Sequence, residues 1–281
     1  MEATTNDQRV LDPMLREISV IRSDPPGAAD RTIAVTTGDD TTSGNDTNSA
    51  VSAGVLEINR ILAPVTALGP GRRLGLWVQG CALRCPGCAS RDTWTRGEGQ
   101  LVEASELAHA LAERAKTDGL TGMTITGGEP MDQAAALTLM VRELRRMLGQ
   151  PATAQTNDDQ PAADQPDGQT GADKFDVLVF TGYASAAAKR RAGALWELVD
   201  AVIAGPYRRD LPSDQPLLAS SNQELIRLNP TWQPGPGGQM QMLVEGGDIT
   251  MVGLPQPGDL DRLETKLRER GVILGGASWR N

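Results

Sequence analysis

The sequence predicts an α/β protein, and three observations carry that prediction. Short apolar runs alternate with segments of helical periodicity between Leu74 and Ile203. Alternating strands and helices imply parallel strands joined by right-handed crossovers. The tail departs from this rule with a Gly-Gly turn between two strand-like runs, the mark of a hairpin.

Taken in order, Leu74–Val78 is an apolar run and a strand. Ser105–Lys116 is a helix with Leu107, Ala108, Leu111, Ala112 and Ala115 at helical spacing. Gly122–Thr126 is a strand with Met123 and Ile125 on one face. Gln133–Leu148 is a helix striped by Leu137, Met140, Val141, Leu144 and Leu148. Val177–Phe180 is a buried strand, Ala186–Val199 a helix and Ala201–Ile203 another strand. Met240–Glu245 and Ile249–Val252 form the hairpin around Gly246-Gly247-Asp248. Asp259–Arg270 is a helix with Leu260, Leu263 and Leu267 on one side. This alternation alone fits both a partial barrel and a doubly wound sheet.

Residues 1–54 read as a disordered tail, because Thr36–Gly54 is almost wholly Thr, Ser, Gly, Asn and Asp. Residues 55–239 form the core unit. Within it, 150–172 read as a disordered acidic insert: Gln150–Thr170 holds four Asp, no Lys or Arg, and no large apolar residue. Residues 240–281 form a C-terminal extension.

Lys and Arg number 27 against 36 Asp and Glu, a net charge of −9, which argues against a nucleic-acid binder. Aromatic residues are 3% of the chain, so Leu, Val, Ile, Ala and Met must build the core. There is no apolar run long enough for a transmembrane helix and no signal-peptide layout at the start, so the expectation is a cytoplasmic protein without a membrane partner.

The chemistry concentrates in Gly80-Cys81-Ala82-Leu83-Arg84-Cys85-Pro86-Gly87-Cys88. These are the only three cysteines of the chain. An odd, clustered set is a poor disulfide framework and reads as metal ligation. A [4Fe–4S] cluster on three thiolates leaves one iron without a protein ligand, where a substrate can bind. The alternatives are a structural zinc site, which wants a fourth ligand, and three incidental cysteines. The single histidine, His109, lies within a helical pattern and reads as an ordinary helix residue.

The C-x3-C-x2-C spacing resembles the radical S-adenosylmethionine superfamily, and the wider context resembles the activating enzymes of anaerobic ribonucleoside-triphosphate reductase. The matching segments are Gly69–Arg72, Leu76–Trp94, Gly127–Pro130, Phe180–Tyr183, Asp200–Leu211 and Ser220–Gln223, in the family's order. The resemblance implies a partial, open (βα)6 barrel. It implies a [4Fe–4S] cluster on Cys81, Cys85 and Cys88, with S-adenosylmethionine chelated at the open iron and cleaved to a 5′-deoxyadenosyl radical. In that branch the radical takes a hydrogen from a glycine of a partner, most simply an anaerobic ribonucleotide reductase. A flavodoxin or ferredoxin-type protein would give the electron. Other radical enzymes on the scaffold, acting on a pyruvate formate-lyase type partner, a peptide or a small molecule, stay open. So does a non-catalytic iron–sulfur carrier or sensor.

By position, Gly127, Gly128 and Glu129 would meet the amino group of S-adenosylmethionine; the plain reading of this motif is a turn after a strand. Thr181 and Tyr183 would line the cofactor site at a strand's carboxyl end, or Tyr183 would cap the core edge. Gly87 stands where many relatives place an aromatic or aliphatic residue. Arg72, Arg208 and Arg209 are candidate substrate or partner contacts, and Asp92-Thr93-Trp94 is expected to pack the cysteine loop.

Overall fold

The structure is a computed structural model that describes residues 54–151, 175–235, 240–245, 248–255 and 258–272. Residues 1–53 of the tail and 152–172 of the insert lie outside the described residues.

One sheet of seven strands organises the core: β1 (Val55–Val65), β2 (Arg73–Val78), β3 (Gln100–Glu103), β4 (Gly122–Gly127), β5 (Asp176–Thr181), β6 (Ala201–Ala204) and β7 (Glu224–Arg227). Their spatial order is β3-β1-β2-β4-β5-β6-β7. The four inner strands β2, β4, β5 and β6 are parallel, with Leu76 beside Ile125 and Ile125 beside Val179. Pairings β1–β2, β1–β3 and β6–β7 are antiparallel.

The expectation of six βα units is therefore corrected to four parallel strands flanked by antiparallel edges. The physical reason is in the connections. After β2 the chain makes the cysteine loop and returns as the short β3 before any helix begins. After β6 it makes a second loop and returns as β7.

Three helices carry the crossovers: α1 (Ala104–Asp118), α2 (Ala134–Met147) and α3 (Ser185–Ala192). The order of the parallel strands rises without reversing, so right-handed crossovers put all three helices on one face. A doubly wound sheet needs a reversal. One continuous apolar cluster agrees, joining Leu74, Leu76, Val78, Met123, Ile125, Val177 and Val179 to Leu107 and Leu111 of α1 and Leu137 and Leu144 of α2. The helix α1 stops where Gly119 turns left-handed (φ 60°, ψ 46°), a conformation glycine takes without a Cβ penalty.

The helix expected over Ala186–Val199 is shorter. It ends at Ala192, because Gly193 adopts φ 52°, ψ −127°, and Gly193–Leu198 continues as a 3-10 turn. The strands β1, β3 and β7 escaped the sequence reading, since none shows a clean apolar alternation.

The other face of the sheet is more polar at its N-terminal end. Arg73 is fully buried there. Its Nη2 and Nη1 donate to the Asp176 carboxylate at 2.7 and 3.0 Å, its Nε to Thr124 Oγ1 at 2.7 Å, and its remaining donors to the Pro70 and Met123 carbonyls. Trp232 Nε1 closes the ring on Asp176 Oδ1 at 2.8 Å. Gly122 leaves the room: a Cβ there would stand 2.5 Å from Arg73 Nη1. A second buried pair, Arg145–Asp200, fixes α2 to the start of β6 at 2.6 Å, with Val177 N and Asn229 Nδ2 also donating to Asp200.

Beyond the sheet, β8 (Met240–Glu245) and β9 (Asp248–Gly253) form a hairpin, followed by α4 (Asp259–Glu269). Val252 packs on Val65, Leu68 and Trp77. The Gln241 side chain ties the hairpin to Pro64 O and Thr66 N, each at 2.8 Å. Among the described residues no helix is long and apolar enough to cross a membrane.

Candidate functional site

The cysteine loop leaves the carboxyl end of β2, where ligand sites of parallel sheets form. Its base is clamped by buried amides. Gln79 is fully buried; it accepts from Asn59 Nδ2 at 2.7 Å and donates to the carbonyls of Asp92 and Thr95. Gln133 donates to both Gln79 O and Glu57 O, and Glu57 accepts from Gly97 N and Gly99 N. Asp92 is further held by an ion pair with Arg60. The loop closes on itself through Gly80 N to Thr93 O (2.8 Å) and Cys81 N to Trp94 O (2.9 Å).

Within this frame the chain turns three times through positive φ, at Gly80, Arg84 and Gly87. The three cysteines end up partly exposed and free of disulfides. Burial pushes the Cys81 and Cys88 thiols up, and each feels the Cys85 charge. Backbone N–H groups of Arg84 and Leu83 oppose this at Cys81. The N–H of Ser90 and the side chain of Trp94 oppose it at Cys88. Donors aimed at sulfur favour thiolates.

Among the described residues no three His, Cys, Asp or Glu side chains converge on a single ion. An iron–sulfur cluster makes a different demand, because each thiolate binds its own iron. Three neighbouring thiols on one preformed loop, with backbone donors at Cys81 and Cys88, fit that demand. His109 stands exposed on α1, 3.4 Å from Glu143.

Gly127–Pro130 follows β4 and lies directly against the cysteine loop. Gly128 N donates to Val78 O and Glu129 N to Gly80 O, both at 2.8 Å. A Cβ at Gly128 would stand 2.3 Å from Gly80 O, so the second glycine is required by the contact of the two loops. Glu129 is 1% exposed. Its Oε1 accepts from Met131 N (2.9 Å) and Thr181 Oγ1 (2.7 Å), its Oε2 from Gly182 N (2.8 Å). Burial is the largest influence and holds its carboxyl above the ordinary range despite these donors. The motif is thus a turn and a junction of three loops, with Glu129 close enough to Cys81 for their charges to couple.

Thr181 spends its hydroxyl on Glu129. Gly182 takes Leu83 of the cysteine loop, whose Cδ1 lies 2.4 Å from where a Cβ would be. Tyr183 packs on the helix-side core and donates to Asp132 Oδ1 at 2.9 Å, with the Arg191 guanidinium 4.2 Å from its ring centre. Tyr183 therefore occupies the core edge, one of its two expected places.

The segment after β6 crosses the cysteine loop from the other side. A Cβ on Gly87 would lie 3.2 Å from Arg209 Cδ and 3.5 Å from Tyr207 Cε1. Pro86, Tyr207, Arg208, Arg209 and Asp210 line an open groove of about 470 Å³. Arg208 pairs with Asp210 at 2.6 Å, while Arg72 is exposed at the opposite end of β2. Ser220–Gln223 acquires a structural role here. Gln223 bonds Gly205 O, Ala219 N and Ser220 N; Asn222 bonds Pro206 O; Ser220 Oγ accepts from Arg208 N.

The sequence reading missed Glu57, Asn59, Gln79, Gln133 and Tyr207. The signal for the first four was weak: polar residues beside apolar ones at strand ends and a helix start. Gln79 and Tyr207 lay inside matched segments of which other residues were singled out.

Residues 67–157 match the 4Fe-4S single cluster domain family. The anaerobic ribonucleoside-triphosphate reductase-activating protein of Enterobacteria phage T4 is 26% identical over 159 residues, 56% of this chain and 85% of its own length. Its counterpart from Vibrio cholerae serotype O1 is 27% identical over 143 residues, 50% of this chain and 76% of its own. A pyruvate formate-lyase-activating enzyme of Staphylococcus epidermidis is 35% identical over 83 residues, 28% of this chain and 33% of its own. The resemblance to the radical SAM activases read from the sequence is borne out.

Proposed function

We propose, from this likeness to the radical SAM activases, that the chain is an enzyme that cleaves S-adenosylmethionine reductively to place a glycyl radical on a partner. One observation carries the reading: the only three thiols of the chain stand on one clamped loop at the carboxyl end of a parallel sheet, against the Gly127–Glu129 turn. Cys81, Cys85 and Cys88 would hold a [4Fe–4S] cluster. When bound, that cluster would supply the electron that breaks the sulfonium C–S bond and a coordination position for the methionine moiety.

The chain's own residues supply the setting. Gly127 and Gly128 bring backbone against the loop without side chains in the way. Glu129 places a carboxylate beside the first cysteine, where the ammonium of S-adenosylmethionine would be neutralised; Thr181 and Gly182 orient that carboxylate. Tyr183 holds the neighbouring turn through Asp132. The segment at Tyr207–Asp210 shields the third-cysteine side.

The preferred partner is an anaerobic ribonucleotide reductase, because the likeness to those activating proteins spans 56% of this chain. A partner of pyruvate formate-lyase type is the second reading, favoured by the higher identity of a shorter stretch. The electron would come from a flavodoxin or ferredoxin-type donor, and the setting would be cytoplasmic, where thiols stay reduced.

The test is anaerobic reconstitution with iron and sulfide, reduction, and assay of 5′-deoxyadenosine from S-adenosylmethionine, beside Cys85→Ser. Product from the wild type and none from the variant is expected. Zinc uptake in place of an iron–sulfur chromophore would sink the reading. Candidate partners are then compared by the glycyl radical signal in electron paramagnetic resonance.

A further inference from the structure

We propose that Arg84 and Arg209, on the outer side of the cysteine loop, dock the acidic surface of the one-electron carrier that reduces the cluster. The inference rests on the cluster-binding reading above and names the surface chemistry of one of its partners.

The chain carries a net charge of −9, yet this side of the loop is edged by cations. Arg84, Arg208 and Arg209 are all exposed. Arg208 is matched by Asp210 at 2.6 Å, whereas Arg84 and Arg209 form no ion pair with a described residue. Arg84 stands between Cys81 and Cys85 at φ 46°, and among the described residues Leu217 is the only other non-glycine at positive φ. Asn or Gly would meet that turn at lower cost, so the turn itself does not account for the arginine. Its neighbour Leu83 packs on Gly182, at the end of β5. Arg209 lays its Cδ 3.2 Å from where a Cβ of Gly87 would be, one residue before Cys88. Pro86 and Tyr207 add apolar surface to the open groove that Arg208, Arg209 and Asp210 line.

Two kinds of protein must reach the proposed cluster, and they need different faces. The glycine-bearing partner must touch S-adenosylmethionine, which belongs beside Glu129 and Cys81. An electron carrier needs only a short distance to the cluster, which the outer side of the loop offers beside Cys85 and Cys88. One electron leaves the carrier and enters the cluster; no covalent bond is made or broken. Unpaired guanidiniums on a rim speed encounter with a surface of opposite charge, and their planar fork suits carboxylates. The complementary carrier is therefore acidic.

The experiment counts iron and sulfide in the reconstituted protein. It then follows cluster reduction by stopped flow with reduced acidic flavodoxin, or with the photoreduced neutral 5-deazariboflavin radical. The variant combines Arg84→Asn with Arg209→Gln: Asn accepts the left-handed turn, and Gln keeps the carbons that lie on Gly87. The wild-type flavodoxin rate should fall as salt rises from about 0.01 M to about 0.15 M, where the Debye length shrinks from about 30 Å to about 8 Å. At the lower salt the variant should be about tenfold slower with flavodoxin, with little salt dependence left. Its deazariboflavin rate should stay within about twofold of wild type, because a neutral reductant feels no steering. Arg84→Lys with Arg209→Lys should restore most of the flavodoxin rate. A wild-type flavodoxin rate indifferent to salt overturns the proposal, and needs no variant to fold. So does an Asn/Gln variant as fast as wild type with flavodoxin, or one equally slow with both reductants. A variant normal with flavodoxin but deficient in glycyl radical formation would give this surface to the glycine-bearing partner and overturn the proposal too. A wild type that takes up no iron and sulfide overturns the parent reading before any rate is compared.

Discussion

The two ends of the sheet solve opposite problems with the same kind of residue. At the N-terminal end Arg73 is buried with all its donors satisfied by Asp176, Thr124 and two carbonyls. At the carboxyl end Glu129 is as deeply buried, yet its bonds go only to the loops around it, and the charge of another acid, Asp132, raises its carboxyl further. A paired charge inside a protein is a structural element; breaking it leaves its partner stranded. A buried carboxylate facing thiols and an acid is held in an unfavourable state, which is the arrangement found where function rather than stability sets the residue. The comparison sets a satisfied ion pair at one end of the sheet against a carboxylate held out of its ordinary range at the other, and four substitutions with one control can break or sharpen that contrast.

The largest effect is expected at the closed end. Asp176→Ala removes the carboxylate that takes two Arg73 donors and the Trp232 indole. Stranding a buried guanidinium costs about 3–5 kcal/mol. Urea denaturation should show that loss, while the folded fraction still reconstitutes iron and sulfide to the wild-type ratio. Lost iron binding in a folded Asp176→Ala protein would show that the two ends are not separable.

At the open end, Gly128→Ala drives a methyl to 2.3 Å from Gly80 O, a backbone atom that cannot swing aside. The strain should fall at the upper end of ~1–3 kcal/mol and displace the loop, so iron retention drops with stability. Gly97→Ala is the control. It has a positive φ of 82°, which Gly128 lacks, and meets nothing within 4 Å, so it should cost only about 1 kcal/mol and keep its iron. Equal iron loss in both variants would remove the argument that Gly128 serves the contact between loops.

This division also marks what the sequence could tell. The helix-side core was legible because period and chemistry coincide: Met123 and Ile125 point one way, Leu137 to Leu144 form a stripe, and a burial pattern follows. The thiols were legible because cysteine is scarce in this chain and spacing carries meaning. The edge strand Gln100–Glu103 was not, since its four residues offer no apolar alternation and pair only because β1 passes beside them. Nor was the amide clamp of Gln79 and Gln133, whose bond joins residues 54 positions apart to one carbonyl. Arg72 and Arg73 show the same limit. Adjacent arginines read alike, and only the direction a strand residue faces sends one into solvent and the other into the core.

The third effect is smaller in size and distinct in its pH dependence. Burial raises the Glu129 carboxyl above the ordinary carboxylate range. The folded state then binds the proton more tightly than the unfolded state, so stability falls as pH rises through the window above the unfolded value. Glu129→Gln abolishes that titration but turns an amide donor toward Gly182 N or Thr181 Oγ1, an uncompensated cost of ~1–3 kcal/mol. The variant should therefore start less stable at pH 4 and lose less on the way to neutral pH. Parallel stability curves for the two proteins, by urea titration at each pH, would contradict a raised Glu129.

The smallest effect separates Tyr183 from the chemistry. Its hydroxyl donates to Asp132 Oδ1, and burial together with that acid pushes it up to about 12. The raised value means the neutral hydroxyl is favoured in the folded state. Its stabilisation is fully present below pH ~10, the ordinary tyrosine value, and is lost as pH climbs toward 12. Tyr183→Phe should cost ~0.5–1 kcal/mol at neutral pH, because one net hydrogen bond at a half-exposed site is lost. It should also delete a late phase near pH 12 from the ultraviolet titration of the two tyrosines. If Tyr183 only caps the core edge, the proposed S-adenosylmethionine cleavage, measured in Tyr183→Phe, stays within about twofold of wild type. A loss of a hundredfold, on the order of the ~2.7 kcal/mol that such a factor represents, would move Tyr183 from the packing of the sheet to the site above it.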